Sequence, residues 1–393
     1  MRRAGQVYLI LLSLIVWSSG ANVYGAGTRE EAIDNIFTVN LAVKPQERVL
    51  VFTDDEKTLI AEEARLVARR AKTFAETIFV TYSSTGLHGA EPPKPLWEKA
   101  FGSSPVQELE KRGLLRKLLE KKISGDELAT VRDIVQANRK DAVDAVIGLA
   151  WYSTSHTSFR KLLTDVVQAR YASMPAFDPK MWQTAMTADW EAVAQRTVRL
   201  KESLAGAVTA HVRTPNGTEM RMELRDRAFW ADTGLFVRPG DFGNLPAGEV
   251  AIPPVEGTSQ GKMVIERGIN PRLKGQVVFE IVDGRVFKMS GDSGFIAWLE
   301  GIFQKYPLAR TIAEFGIGTN DKARAGTTML ELEKILGTIH LAIGDNSTQG
   351  GKTAVPFHID LLFENPTVDI TFSDGRTVQI MKDGKLLGAA DAK

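Results

Sequence analysis

The apolar positions of this chain follow one period in its first half and another in its second. Arg48 to Asp54 (RVLVFTD) is a short apolar run ending in polar residues, Glu56 to Phe74 repeats its apolar positions at helical spacing, and Glu76 to Tyr82 (ETIFVTY) is a second short run. Strand, helix and strand at this spacing predict a βαβ unit, hence a parallel sheet with right-handed crossovers. The Pro-rich step from Glu91 to Pro95 predicts a loop, and Gln107 to Lys122 a charged helix. Val143 to Tyr152 (VDAVIGLAWY) predicts another buried strand, with a helix after it from Ser158 to Tyr171. From about Gly206 the pattern alternates instead, and paired alternating segments flank Asn216-Gly217, Asp283-Gly284 and Asp374-Gly375. Such dipeptides tolerate the positive φ angles of tight hairpins, so they predict an antiparallel region. The expected fold class is an α/β N-terminal domain with a parallel sheet, followed by an α+β domain rich in antiparallel strands that carries the site. The expected boundaries are a signal peptide over 1–25, the α/β domain over 26–205 and the catalytic, metal-binding domain over 206–393.

The N-terminus adds a separate element. Arg2 and Arg3 precede an apolar run from Val7 to Trp17, and small residues follow at Ser18, Ser19, Gly20, Ala21, Gly25 and Ala26. A run of 11 residues is too short to cross the bilayer core of about 30 Å as a helix, so it reads as a secretory signal with the mature start near Ala26. This predicts an exported, periplasmic protein; an uncleaved anchor or a misassigned start codon, which would leave it cytoplasmic, is the alternative. With no cysteine in 393 residues there is no lipid attachment, disulfide framework or thiolate chemistry. The 49 basic and 48 acidic side chains nearly cancel and form no dense basic block, which excludes nucleic acid as a partner.

Candidate chemistry concentrates between Arg310 and Leu362. Glu314, Glu333, His340, His358 and Asp360 lie on short apolar segments there, and two of the five histidines are among them. Imidazole and carboxylate without thiolate suit Zn²⁺, Co²⁺ or Mn²⁺ in a catalytic site. If ELEKILGTIH is helical, Glu333 and His340 share a face, because seven residues make almost two turns. The Gly337-Thr338 pair opens the alternative that the two meet across a helix-to-strand junction. His358 and Asp360 alternate along an apolar strand and so point to one side of a sheet, where they must find partners or line a cavity. Glycines in GIGTN, in GDN after Ile343 and at Gly350-Gly351 offer loops where backbone can approach a ligand. Read alone, Glu249 in NLPAGEVAIPPVEG is a loop surface residue. His156 in WYSTSHTSFR sits in an N-cap region that can line a cleft, whereas His88 and His211 read as structural or exposed.

These segments resemble the aminopeptidase T family of dinuclear metallo-aminopeptidases, particularly its leucyl aminopeptidase-like branch. The resemblance runs through NLAVKPQERVLVFTD, YSTSHTSFRK, RYASMPAF, NLPAGEVAIPPVEG, AEFGIGTN, LEKILGTIHLAIGDNSTQGG and HID in order. It implies two adjacent divalent ions (zinc, cobalt or manganese) held by Glu249, Glu314, Glu333, His340, His358 and Asp360, with Glu314 bridging. It also implies a homodimer acting on peptides with a free N-terminus. One departure stands out: the tyrosine expected after the metal-binding histidine is missing from GDNSTQGG.

The activity so implied is aminopeptidase hydrolysis, in which two cations lower the pKa of a bridging water and polarise the scissile carbonyl. Glu249 and Glu314 are then the catalytic carboxylates, with Glu249 shuttling the proton to the leaving amine. The alternative from another class is an exported, non-catalytic metal- or peptide-binding homologue of the same fold, favoured by the missing tyrosine. A nucleotide-binding α/β protein has no support, because no phosphate-cradling glycine loop follows either early strand.

Overall fold

The computed structural model describes residues 28–266 and 272–388. Residues 1–25, where a signal peptide is expected, lie outside the described residues, and among those described no helix is long and apolar enough to cross a membrane.

The βαβ pattern becomes the centre of a five-stranded, wholly parallel sheet. Arg48–Asp54 pairs with Glu76–Tyr82 on one side and Ala145–Gly148 on the other, and Arg170–Ser173 follows. The fifth strand, Phe242–Asn244, returns to this sheet from far along the chain. Both faces of the sheet are covered. Val49 and Val51 face the Thr58–Ala71 helix through Ile60, Ala64 and Val67, while Leu50 and Phe52 face Leu96, Trp97 and Phe159 on the opposite side. That double burial explains why RVLVFTD reads as a continuous apolar run rather than an alternating one.

Two helix expectations change at left-handed residues. The Gln107 to Lys122 segment forms two helices, Ser103–Lys111 and Leu114–Leu119, because Gly113 turns the chain at φ 70. The helix from Ser158 ends at Val167, where Gln168 adopts φ 66, and the chain re-enters the sheet at Arg170.

Beyond Gly206 the strands pair antiparallel, apart from Phe242–Asn244. An eight-stranded sheet contains the three hairpins that the Asn-Gly and Asp-Gly steps predict: Ala207–Arg213 with Glu219–Glu223, Val277–Val282 with Arg285–Gly291, and Thr367–Phe372 with Thr377–Lys382. A second sheet of five strands runs in the order His358–Phe363, Ile339–Gly344, Ile312–Gly318, Glu249–Ile252, Trp230–Asp232. The two sheets share one core, with Met220, Met222 and Phe279 from the larger meeting Val250, Phe315, Leu341 and Leu361 from the smaller. Strand geometry sends alternate residues to opposite faces. Every second residue of the smaller sheet therefore points away from that core, and those positions carry the charge.

Candidate metal centre

Glu249, Glu314, His340, His358 and Asp360 all project from this outward face of the smaller sheet. The register places Gly316 between Ala251 and His340, and Ala342 opposite Asp360, so small residues alternate with the donors. Gly316 is required there, because a Cβ on it would lie 2.0 Å from Cε1 of the His340 ring. Gly318 is required for a different contact: its Cβ would lie 2.1 Å from the carbonyl oxygen of Ile335, in the turn that follows the short Met329–Leu332 helix.

Two groups of donors result, each with its ligand atoms within 4.8 Å of one another: Glu249, Glu314 and His340, then Glu314, His358 and Asp360. Glu314 belongs to both. Its Oε1 lies 3.3 Å from His340 Nε2 and its Oε2 3.5 Å from His358 Nε2, while His358 Nε2 is 3.3 Å from Asp360 Oδ1. His358 donates from Nδ1 to the Asp345 carbonyl at 2.7 Å, which orients Nε2 toward the carboxylates.

Glu333 and His340 do not come together as donors: Glu333 belongs to neither group and pairs with Lys334 instead. The helix stops at Leu332 and His340 stands on the next strand, so the pair spans a helix-to-strand junction and the helix-face geometry is replaced. Glu249, on its own sequence a loop surface residue, is instead a strand residue only 3% exposed. His156 stacks on His358 with ring centroids 6.0 Å apart and shares a hydrogen bond with Thr348. His88 accepts from the Ser153 backbone N–H, and His211 pairs with Glu219 across a hairpin, both away from the donors.

Several neighbours of the donors were not legible as such. Gln349 donates to Glu314 Oε2 at 2.6 Å, and with Thr348 it comes from GDNSTQGG, the loop where the missing tyrosine draws attention elsewhere. Asn346 and Arg227 both hold Glu256 and so anchor this loop beside the site. Lys334 has a fully buried ammonium set against Glu249, Glu333 and Asp232 at 2.5, 2.7 and 3.8 Å. Next to Glu333 in sequence it looks like one half of a solvated charge pair, and Asp232 gives no signal at all.

The electrostatics follow from placing five carboxylates out of water. Burial raises Asp232 to about 7 despite Lys334, and raises Glu333 to about 8 despite the same ammonium. Glu249 is raised by burial too, with Lys334 and His340 opposing. Burial also works to raise Glu314, but the two imidazoles outweigh it and hold the carboxyl below its usual range. The imidazoles respond in kind: burial disfavours their charged forms, yet the carboxylates lift His340 to about 9 and His358 to about 10. His156 goes the other way, to about 4, because burial and the neighbouring His358 both disfavour its cation. Glu249 Oε2 and His340 Nδ1 are buried without any hydrogen-bond partner. A buried carboxylate oxygen of that kind, in a cluster with excess negative charge, is a place for a cation.

Residues 142–388, more than half of the chain, match the family described as NicX, 2,5-dihydroxypyridine 5,6-dioxygenase. The chain belongs to this NicX family. Among solved structures it is similar to the 2,5-dihydroxypyridine dioxygenase of Pseudomonas putida KT2440, with a TM-score of 0.67 at 15% identity over 93% of this chain and 98% of that one. It is also similar to wild-type AmpT from Thermus thermophilus, with a TM-score of 0.55 at 15% identity over 92% of this chain and 99% of that one. No curated protein matches by sequence. At such identity both likenesses establish the fold, so the aminopeptidase T resemblance is sound as architecture. As chemistry it is overturned: the NicX family match points to an oxygenase, and the expected metallo-aminopeptidase, hydrolase and protease activity is corrected accordingly. One fold carries both reactions, and the motifs that mark the fold do not distinguish them.

Proposed function

We propose that this protein is a metal-dependent dioxygenase that opens a hydroxylated pyridine or a related hydroxylated aromatic ring, with His340, His358, Glu314 and Asp360 as the metal donors. The reading is carried by membership of the NicX family together with two imidazoles, His340 and His358, on either side of the one carboxylate they share, Glu314. Two histidines with an acidic donor are the ligand set of non-haem Fe(II) oxygenases, which leave coordination positions open. The residues fit such an ion: all donors are nitrogen or oxygen, and the unpartnered Glu249 Oε2 lies 3.5 Å from His340 Nε2. When bound, ferrous iron supplies the redox capacity that ring-opening by dioxygen requires.

The chain's own groups do the rest. The Asp345 carbonyl fixes the His358 ring, and Gln349 fixes Glu314. His156 shares a hydrogen bond with Thr348 through Nδ1, and burial beside His358 pushes its pKa down to about 4, so in the tautomer protonated at Nδ1 its Nε2 would be the base for a ring hydroxyl. To test this, the purified protein is loaded anaerobically with Fe(II) and mixed with 2,5-dihydroxypyridine, hydroquinone or catechol in oxygenated buffer. Stoichiometric oxygen uptake with loss of the aromatic absorbance is expected for at least one of them, and no leucine release from a leucyl amide. Bound iron with no oxygen uptake on any of the three rings would sink the proposal.

A further inference from the structure

The loop after Ile339–Gly344 carries an amide that uses only half of its hydrogen-bonding capacity. Asn346, fully buried, closes this loop: its backbone N–H donates to the Thr353 carbonyl at 3.0 Å and its side-chain oxygen accepts from Thr353 N–H at 2.8 Å. On the far side Arg227 donates to the Gly350 carbonyl, and Lys352 N–H donates to Glu256 at 2.6 Å. Between these anchors Thr348 shares its hydrogen bond with His156, and Gln349 reaches Glu314. An amide donates at one end and accepts at the other. Glu314, a carboxylate between two imidazoles, only accepts, so it takes the Gln349 nitrogen at 2.6 Å and the oxygen is turned away from it. That oxygen, Oε1, is buried and meets no donor among the described residues. A buried acceptor costs free energy until a donor reaches it.

We infer that Gln349 determines substrate specificity: its side-chain oxygen accepts a hydrogen bond from an N–H or O–H of the substrate ring, while its nitrogen holds Glu314. The neighbouring residue, Thr348, holds His156, so one rigid loop sets both the ring's base and a contact that selects among rings. The inference rests on the ring-dioxygenase reading above and adds to it the residue that discriminates. A 2-hydroxypyridine in its pyridone form offers a ring N–H, whereas hydroquinone offers only O–H. A ring without a donor at that edge leaves Oε1 buried and unpaired, and a site built around a hydrogen bond rejects such an analogue strongly.

The test is equilibrium binding, which needs no turnover. The full-length protein is saturated with Zn²⁺, which keeps one oxidation state, and titrated calorimetrically with two matched pairs: 2,5-dihydroxypyridine against 5-hydroxy-1-methyl-2-pyridone, and hydroquinone against 4-methoxyphenol. In each pair a methyl group removes one donor. The wild type is expected to favour the unmethylated member of one pair by about tenfold or more, and Gln349→Met, which keeps the length of the side chain, to bring that ratio within about twofold. The pair that responds names the donor, N–H in the first and O–H in the second. A merely structural Gln349 would weaken both members alike and leave the ratio standing in the variant, which overturns the inference; so does a wild type that discriminates in neither pair. Zinc-loaded wild type that binds none of the four rings overturns the dioxygenase reading itself, and this inference with it. Should Gln349→Met fail to hold zinc, a crystal structure of the zinc-loaded wild type with its tightest ring decides: a ring donor within hydrogen-bond distance of Gln349 Oε1 supports the role, and any other partner there, the metal included, overturns it.

Discussion

The parallel sheet and the smaller antiparallel sheet are buried to nearly the same degree and are held together by opposite means. In Arg48–Asp54 alternate residues go to two apolar layers, Val49 and Val51 to one and Leu50 and Phe52 to the other. In Ile312–Gly318 every residue is also buried, yet Phe315 and Ile317 enter a core while Glu314 faces a cluster of charges. Removing apolar surface from water stabilises the first sheet directly, by about 1.5–3 kcal/mol for each large side chain. Burying carboxylates costs free energy until counter-charges offset it, and in the second sheet those are Lys334 and the imidazoles, beside a donor set that could hold a metal ion. One region is filled by apolar side chains; the other keeps its charges for a ligand.

The largest expected effect separates the two regions outright. Phe52 meets the rings of Tyr82, Phe159 and Tyr171 at 6.0, 6.2 and 6.4 Å, so Phe52→Ala should cost about 3–5 kcal/mol of unfolding free energy. The bound metal per folded chain should be unchanged, and a denaturant titration paired with elemental analysis reads both; metal loss in folded Phe52→Ala would mean that the regions are not independent. Next in size, Glu314→Gln removes the donor common to both ligand groups, and metal affinity should fall by about 100-fold or more with the fold intact by circular dichroism. Affinity within a few-fold of wild type would remove Glu314 from the site.

The third prediction concerns pH. His340 and His358 are raised to about 9 and about 10 without a metal, so near neutrality both carry protons that an incoming ion must displace. Apparent metal affinity should therefore rise between pH 6 and 9, by roughly tenfold per unit for each proton released. In the metal-free protein the sign reverses. The stabilisation from these raised groups is fully present below about 6.5 and is lost as pH rises through 9 to 10, visible as a falling unfolding temperature. A metal affinity flat across pH 6 to 9 would contradict the assignment of both imidazoles. The smallest effect belongs to Gln349→Ala, which removes a hydrogen bond to Glu314 and should weaken metal binding by about tenfold in a calorimetric titration.

Much of the architecture was readable because local rules govern it. The βαβ step needs only neighbouring residues, as do hairpins closed by Asp283-Gly284, where φ is 49 and 69. His358 and Asp360 share a face through strand alternation alone. The reading stopped where partners are distant. Lys334 and Glu249 are 85 residues apart, and His156 and Thr348 are 192 apart, so no window of sequence contains either contact. The reaction class is not legible for a related reason, since the segments that resemble aminopeptidase T lie on strands and glycine turns of a fold that a dioxygenase also adopts.

By itself, then, the sequence determined the order of strands and helices, the parallel and antiparallel character of the two regions, and the kind of donor available, nitrogen and oxygen without sulfur. Those properties follow from hydrophobic period, turn residues and composition, which act over a few residues at a time. Tertiary structure alone decided that Glu314 stands between two imidazoles, that Gly316 makes room for one of them, and that Lys334 is buried among Glu249, Glu333 and Asp232. Sheet register and chain return set those neighbours, and in a buried site the energy of a charge depends on what stands within a few ångströms of it.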